Sequence, residues 1–308
     1  MRALVTGGAG FIGSHIVEEL LRGGASVRVF DNLSTGKREN LASFQGDLEI
    51  QVGDLRDADA IKAATQTMDL VFHLAAFISV PQSMLEPDNC FAINVAGTAT
   101  LLEAARQAGV RKVVLSSSTA VYGNPDRFPT DEQTPVSPLS PYALSKYVNE
   151  LYARLYTQTF GLPVTALRYF NVYGPRQNPN SAYAAAISIF AQRLVNGEPI
   201  SIYGDGKQSR DFIFVKDVVR ANLLAAGSDV SGDVFNICTG HETSLLDLLE
   251  ELSEVSPNLP EVRFEAPRLG DIYRSLGNPE KAASALGFRA QTPLAEGLAQ
   301  TVEWMKYK

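Results

Sequence analysis

The sequence predicts an α/β protein: a doubly wound parallel sheet followed by a smaller mixed α/β lobe. Three observations predict it. Short apolar runs alternate with longer amphipathic ones through the first two-thirds of the chain, as strands joined by crossover helices do. Several of those runs, such as Leu-Val-Phe at 70–72 and Val-Val-Leu at 113–115, are apolar without alternation, which suits strands covered on both faces. After Tyr169 the rhythm breaks, and Gly174-Pro175-Arg176 and Asn178-Pro179-Asn180 mark loops.

In chain order, strands are expected at residues 3–6, 26–30, 49–52, 70–74, 112–116 and 164–169. Helices are expected at residues 11–22, 57–65, 94–108 and 141–160. Residues 1–170 form the expected first domain and 171–308 the second, with a stretch near 211–227 returning to the first. With 308 residues, 45% of them hydrophobic and 20% charged, the chain can bury a sizeable core.

A net charge of −7 argues against a nucleic-acid partner, whose binding rests on basic patches facing phosphate. Cys90 and Cys238 form no Cys-x-x-Cys pair, and His15, His73 and His241 lack metal-ligand spacing, so neither a disulfide framework nor a metal site is expected. The apolar start is too short for a signal peptide, and no stretch approaches the roughly 20 apolar residues of a membrane span. The expected location is the reducing cytoplasm.

Gly7, Gly10 and Gly13 lie between the first strand and the first helix, with Gly8 fitting a second glycine register. Such a turn lets the backbone approach a pyrophosphate, and the helix N-terminus, where Phe11 and Ile12 lie, favours the anion. The sheet is therefore expected to be Rossmann-type. Asp31 ends the second strand, where a carboxylate can accept hydrogen bonds from an adenosine ribose and repel a 2′-phosphate; NAD is favoured over NADP. Lys37 and Arg38 nearby soften that exclusion. Asn32 follows the acid, and Asp54-Leu55 follow the third strand where an adenine-contacting loop belongs.

Tyr142 and Lys146 stand four residues apart in an expected helix and so share a face. A tyrosine is a poor base at neutral pH unless a neighbouring cation stabilises its phenolate, which an ammonium and a positively charged nicotinamide would both do. Ser118, beyond the strand at residues 112–116, can position a reacting alcohol.

These segments carry a resemblance, together with His73-Leu74-Ala75-Ala76, Asn94-Val95-Ala96-Gly97-Thr98, Ser116-Ser117-Ser118-Thr119-Ala120-Val121-Tyr122-Gly123, Tyr169-Phe170-Asn171-Val172-Tyr173-Gly174, Arg210-Asp211-Phe212 and Arg268-x-x-Asp271. The chain resembles the extended short-chain dehydrogenase/reductase family, and within it the UDP-hexose 4-epimerase subgroup, over nearly its whole length. The resemblance implies that Ser118, Tyr142 and Lys146 are catalytic. It implies that Leu74, Ala75, Ala76, Asn94, Ser116 and Tyr169, with Tyr142 and Lys146, join the NAD contacts. It also implies that Asn171, Tyr203, Arg210, Arg268 and Asp271, with Ser118 and Tyr142, hold a UDP-sugar, and that the helices at 94–108 and 141–160 build a homodimer.

The same scaffold carries 4,6-dehydratases, whose pattern resembles Thr-Asp-Glu where this chain has Ser118-Thr119-Ala120, and decarboxylases, which carry an acid at the position of Ala120. Epimerisation through a 4-keto sugar needs no such acid, because one tyrosine takes the hydroxyl proton and returns it. Ser275 stands where glucose-restricted relatives carry a tyrosine, and residues 170–182 resemble the subgroup accepting N-acetylated sugars. UDP-GlcNAc/UDP-GalNAc is thus the expected pair, with UDP-Glc/UDP-Gal a further one. The alternatives are another NAD-dependent nucleotide-sugar oxidoreductase, which would release NADH, a dehydratase, or a non-catalytic NAD-binding sensor.

Overall fold

The computed structural model describes residues 1–179, 186–256, 258–267 and 272–307. From the N-terminus it forms β1 (Arg2–Thr6), α1 (Phe11–Arg22), β2 (Ser26–Asp31), β3 (Leu48–Val52), α2 (Ala58–Thr65) and β4 (Leu70–His73). There follow α3 (Val80–Leu85), α4 (Pro87–Phe91), α5 (Gly97–Gln107), β5 (Lys112–Ser118), α6 (Pro141–Phe160) and β6 (Val164–Tyr169). Local chemistry sets the helix starts. The Asp57 carboxylate accepts the Asp59 and Ala60 amides at the head of α2, and Ser140 caps α6, whose first residue is Pro141.

These six strands and the strand Asp233–Ile237 make one seven-stranded sheet, parallel throughout. Its order is Asp233–Ile237, β6, β5, β4, β1, β2, β3. The chain winds outward from β1 in both directions, so a crevice opens beyond the C-terminal ends of β1 and β4, where such sheets bind ligands. Alternate residues of one strand enter opposite cores. Val5 packs with Ile16, Val17, Val29 and Val218, whereas Leu4 packs with Val71, Leu101, Leu102 and Val113. Each such fully buried aliphatic side chain contributes about 1.5–3 kcal/mol.

Beyond β6 the described elements are β7 (Asn171–Tyr173), α7 (Ala186–Asn196), β8 (Ile200–Tyr203), β9 (Ser209–Arg210), β10 (Phe212–Phe214), α8 (Val215–Gly227) and β11 (Asp233–Ile237). They continue with β12 (Thr243–Ser244), α9 (Leu245–Val255), β13 (Val262–Glu265), β14 (Arg274–Ser275), α10 (Glu280–Leu286) and α11 (Leu294–Lys306). Small sheets pair β7 with β10, β8 with β13, and β9 with both β12 and β14. A third core of Tyr173, Phe190, Phe214, Leu248 and Leu298 fills this part.

Three details differ from the sequence expectation. Beyond residues 211–227, whose helix α8 packs on α1, the chain also adds β11 to the main sheet. The helix expected from residue 94 begins instead with a wide π-turn at Ala92–Ala96 before α5, and Asn94 lies inside that turn. β5 runs on to Ser118, two residues past the expected end at Ser116, because Ser117 and Ser118 also pair with β6.

Candidate active site

The glycine turn closes because side chains are absent from it. Gly7 adopts φ +69°, and a Cβ there would meet Ala75 N at 2.6 Å; a Cβ on Gly13 would meet Gly7 O at 2.1 Å. Gly10 is the N-cap of α1 and provides no side-chain cap, so the amides of Phe11 and Ile12 open the positive end of the helix toward the crevice. Backbone, dipole and space fit a pyrophosphate. Asp31, 7% exposed, accepts the Ala9 amide at 3.0 Å and the Leu33 amide at 2.8 Å. Asn32 donates to Asp54 at 3.0 Å, and Arg56 grips the same carboxylate through two 2.8 Å bonds, holding it well below the usual carboxylate range. Leu55 is buried against Gly97. Across the crevice the Leu74 and Ala75 amides both donate to Thr6 O at 3.1 Å, and half-buried Ala76 follows.

Strand β5 and helix α6 bring Ser118, Tyr142 and Lys146 together. Lys146, 5% exposed, donates to Ser116 O at 2.9 Å and Ser116 Oγ at 3.3 Å. Its ammonium lies 5.9 Å from the centre of the Tyr142 ring. Burial pulls Lys146 down to about 8 and pushes the Tyr142 phenol up, a rise that its hydrogen bond with Ser118 opposes. The outcome is a phenol, a hydroxyl and a cation in one place, able to carry a proton to and from an alcohol.

Two residues expected on the cofactor side, Asn94 and Tyr169, give their side chains to the scaffold. Asn94 brackets Phe77, accepting its amide at 2.7 Å and donating to its carbonyl at 3.0 Å, and donates to Ser145 of α6 at 2.9 Å. Tyr169 donates its hydroxyl to Asn222 at 2.9 Å within the core. His73 is held between Thr6 and Thr98 at 2.7 and 2.8 Å, and burial pulls it down to about 3.

Sequence reasoning missed Glu150 and Arg168, a buried ion pair behind this group, and Ser117, which donates to Glu150 at 2.5 Å. The signal was available: Glu150 follows Lys146 at the i+4 position.

On the other side of the crevice, Asn171 opens β7 and donates to Asp211 O at 3.2 Å. Tyr203 ends β8, and Arg210 and Ser275 are registered neighbours on β9 and β14. Asp211 is buried and accepts amides from Thr239, Gly240 and Gly277, so it fixes the chain that carries Ser275. Arg268 and Asp271 lie outside the described residues, as do Asn180 and Ser181. Among the described residues no group of three or more His, Cys, Asp or Glu could hold a metal ion, and no helix is long and apolar enough to cross a membrane.

A dinucleotide site at the reversal point of a parallel sheet, facing a tyrosine–lysine pair, defines an NAD-dependent Rossmann-type protein of the extended short-chain dehydrogenase/reductase class. The chain belongs to the NAD dependent epimerase/dehydratase family, whose sequence profile matches residues 3–238. It is 43% identical to a UDP-glucose 4-epimerase of Mycolicibacterium smegmatis, over 100% of this chain and 99% of that one. The structure superposes with a TM-score of 0.94 on a UDP-N-acetylglucosamine 4-epimerase from Methanobrevibacter ruminantium in complex with UDP-N-acetylmuramic acid, 42% identical, covering 98% and 97% of the two chains. A Thermus thermophilus UDP-glucose 4-epimerase in complex with NAD gives 0.90, with 41% identity and 99% coverage of each chain.

Proposed function

We propose that this chain is a UDP-sugar 4-epimerase, interconverting UDP-GlcNAc with UDP-GalNAc and also UDP-Glc with UDP-Gal. One observation carries the reading: Ser118, Tyr142 and Lys146 converge, and the turn beside them, Thr119–Tyr122, holds no carboxylate. Elimination needs an acid for the leaving hydroxyl and a base for a carbon-bound proton. Inversion at C4 needs one proton carrier used in both directions.

In this reading Tyr142 takes the C4 hydroxyl proton and returns it, Ser118 orients that alcohol, and the Lys146 ammonium stabilises the phenolate. Bound NAD supplies reversible hydride acceptance at the carbon being inverted. The turn at Gly7, Gly10 and Gly13 would hold its pyrophosphate, Asp31 its adenosine ribose, and Asp54-Leu55 would border the adenine. Asn171, Tyr203, Arg210, Arg268 and Asp271 would fix the UDP while the sugar stays free to turn. An arginine suits that diphosphate because it is always charged and forks onto oxygen pairs. Ser275, small and paired with Arg210, leaves room for a 2-acetamido group, and the relatives' own substrates include both sugar classes.

We further assign the protein to the cytoplasm as a homodimer. Supporting the dimer, Phe91 on α4 and Leu144, Leu151 and Leu155 on α6 leave large apolar side chains exposed.

The test is to incubate the purified protein, without added cofactor, with UDP-GlcNAc and separately with UDP-Glc, following anomeric protons by NMR and absorbance at the NADH band. The expected result is the 4-epimer with no net NADH. Net NADH would replace this reading with an oxidase, loss of the C6 hydroxyl with a dehydratase, and unchanged sugars with NAD bound would leave a non-catalytic binder.

A further inference from the structure

We propose that Arg176 is a positioning residue for cofactor retention: it latches a strap, residues 31–46, across the glycine turn and so slows escape of NAD. The inference rests on NAD dependence and holds whichever sugar is inverted.

The strap is tied to the turn at Ala9. The Ala9 amide donates to Asp31, while the Ala9 carbonyl accepts the Lys37 amide at 2.9 Å and Asn40 Nδ2 at 2.8 Å. The segment therefore crosses the turn expected to cradle the pyrophosphate. Its far end carries Phe44, half-buried against the core that contains α1.

Arg176 comes from elsewhere, the loop that follows β7 and Asn171. Its guanidinium carbon lies 5.0 Å from the Phe44 ring centre, and Nη2 donates to Glu18 of α1 at 2.5 Å. The Arg176 side chain is 17% exposed and Glu18 is 47% exposed, so the ion pair is open to solvent on its acidic side and the stacking on Phe44 is the more shielded of the two attractions. The backbone at Arg176 has φ +68°, a left-handed conformation that side-chain-bearing residues avoid. Two neighbouring bonds hold it there. His15 Nε2–H donates to Pro175 O at 2.9 Å, and Gln177 Nε2 donates to Val172 O at 3.0 Å. One side chain thus joins α1, the strap and the loop behind Asn171, and lifting the strap requires Phe44 to leave Arg176.

The experiment uses NAD-loaded protein and measures exchange of bound NAD for isotopically labelled NAD. Arg176→Ala is expected to release NAD about tenfold faster than the parent, Arg176→Lys to fall between them, and the melting temperature of the NAD-stripped protein to change little. Phe44→Leu keeps an apolar side chain but removes the ring face, and serves where Arg176→Ala fails to fold; it too should release NAD faster. An exchange rate within twofold of the parent in a folded variant overturns the proposal. A product other than the 4-epimer in the sugar assay would leave this measurement intact.

Discussion

Glu150 takes Arg168 in a fork: Oε1 accepts Nε–H at 2.8 Å and Oε2 accepts Nη2–H at 2.6 Å, with both side chains almost fully buried. The pair ties α6, one turn past Lys146, to β6, and Ser117 adds β5 right beside Ser118. Arg168 Nη1 is buried without a hydrogen-bond partner among the described residues, so Glu150 bears most of the compensation for that charge. Glu150→Gln should therefore cost about 3–5 kcal/mol, read as a lower urea midpoint at unchanged slope. Pairing it with Arg168→Met should recover much of the loss. A single variant as stable as the parent would contradict this.

The two buried histidines make stability depend on pH in a defined direction. Burial pulls His15 down to about 4 and His73 to about 3, whereas an unfolded histidine titrates near 6.5. Between those values the unfolded chain binds more protons. Their contribution is thus full above about pH 6.5 and declines as pH falls toward 4 and 3. Melting temperatures should fall across that window, and His15→Gln should flatten the upper part of the slope. A melting temperature flat from pH 7 to 4.5 would count against neutral, buried rings.

Lys146 sets a second titration. Burial holds it at about 8, so its positive charge is present below that pH and is lost above it. If the ammonium supports the Tyr142 phenolate, turnover should decline as pH rises through about 8 in the absence of other limbs. Lys146→Met should lower kcat by roughly 10²–10⁴ and abolish that limb. Tyr142→Phe should be inactive yet retain NAD. A Tyr142→Phe enzyme with parental turnover would remove the tyrosine from the chemistry.

Much of this was legible in the sequence, for physical reasons specific to each part. The glycine turn, Asp31 and the Tyr142/Lys146 spacing are local: a few adjacent residues set the backbone and the shared helix face. The inner strands β1, β4 and β5 were legible because two covered faces demand continuous apolar runs, as at residues 3–5, 70–72 and 113–115. What escaped depended on long-range contact. The strand Asp233–Ile237 has an ordinary half-polar pattern and becomes a sheet edge only by meeting β6. Ser117, Glu150 and Arg168 come from three elements, and only Glu150, at i+4 from Lys146, carries a local signal. Asn94 and Tyr169 matched motif positions, but motif matching says nothing about where Ser145 and Asn222 lie to receive their side chains.

The dimer reading has a direct test on α6. Leu144, Leu151 and Leu155 follow i, i+7, i+11 spacing and so share one exposed helix face. Leu151→Glu with Leu155→Glu should turn a dimer into a monomer in light scattering, because burying two carboxylates in an apolar contact is unfavourable. Parent protein that is monomeric at micromolar concentration would refute the assignment outright.

The proposed sugar preference rests on Ser275. Its register partner is Arg210, and its carbonyl accepts the Asp211 amide at 2.8 Å, so the backbone at this position is fixed and a larger side chain has little freedom to withdraw. Ser275→Tyr should fill the space proposed for a 2-acetamido group. The expected result is a fall in kcat/KM for UDP-GlcNAc of about 100-fold, with UDP-Glc changed only a few-fold. Rejecting a substrate by bulk removes binding for the larger sugar while leaving Ser118, Tyr142 and Lys146 untouched, so kcat with UDP-Glc is the internal control. Equal losses on both sugars would mean that residue 275 supports the nucleotide side of the site, and equal retention would mean that the acetamido group is accommodated elsewhere.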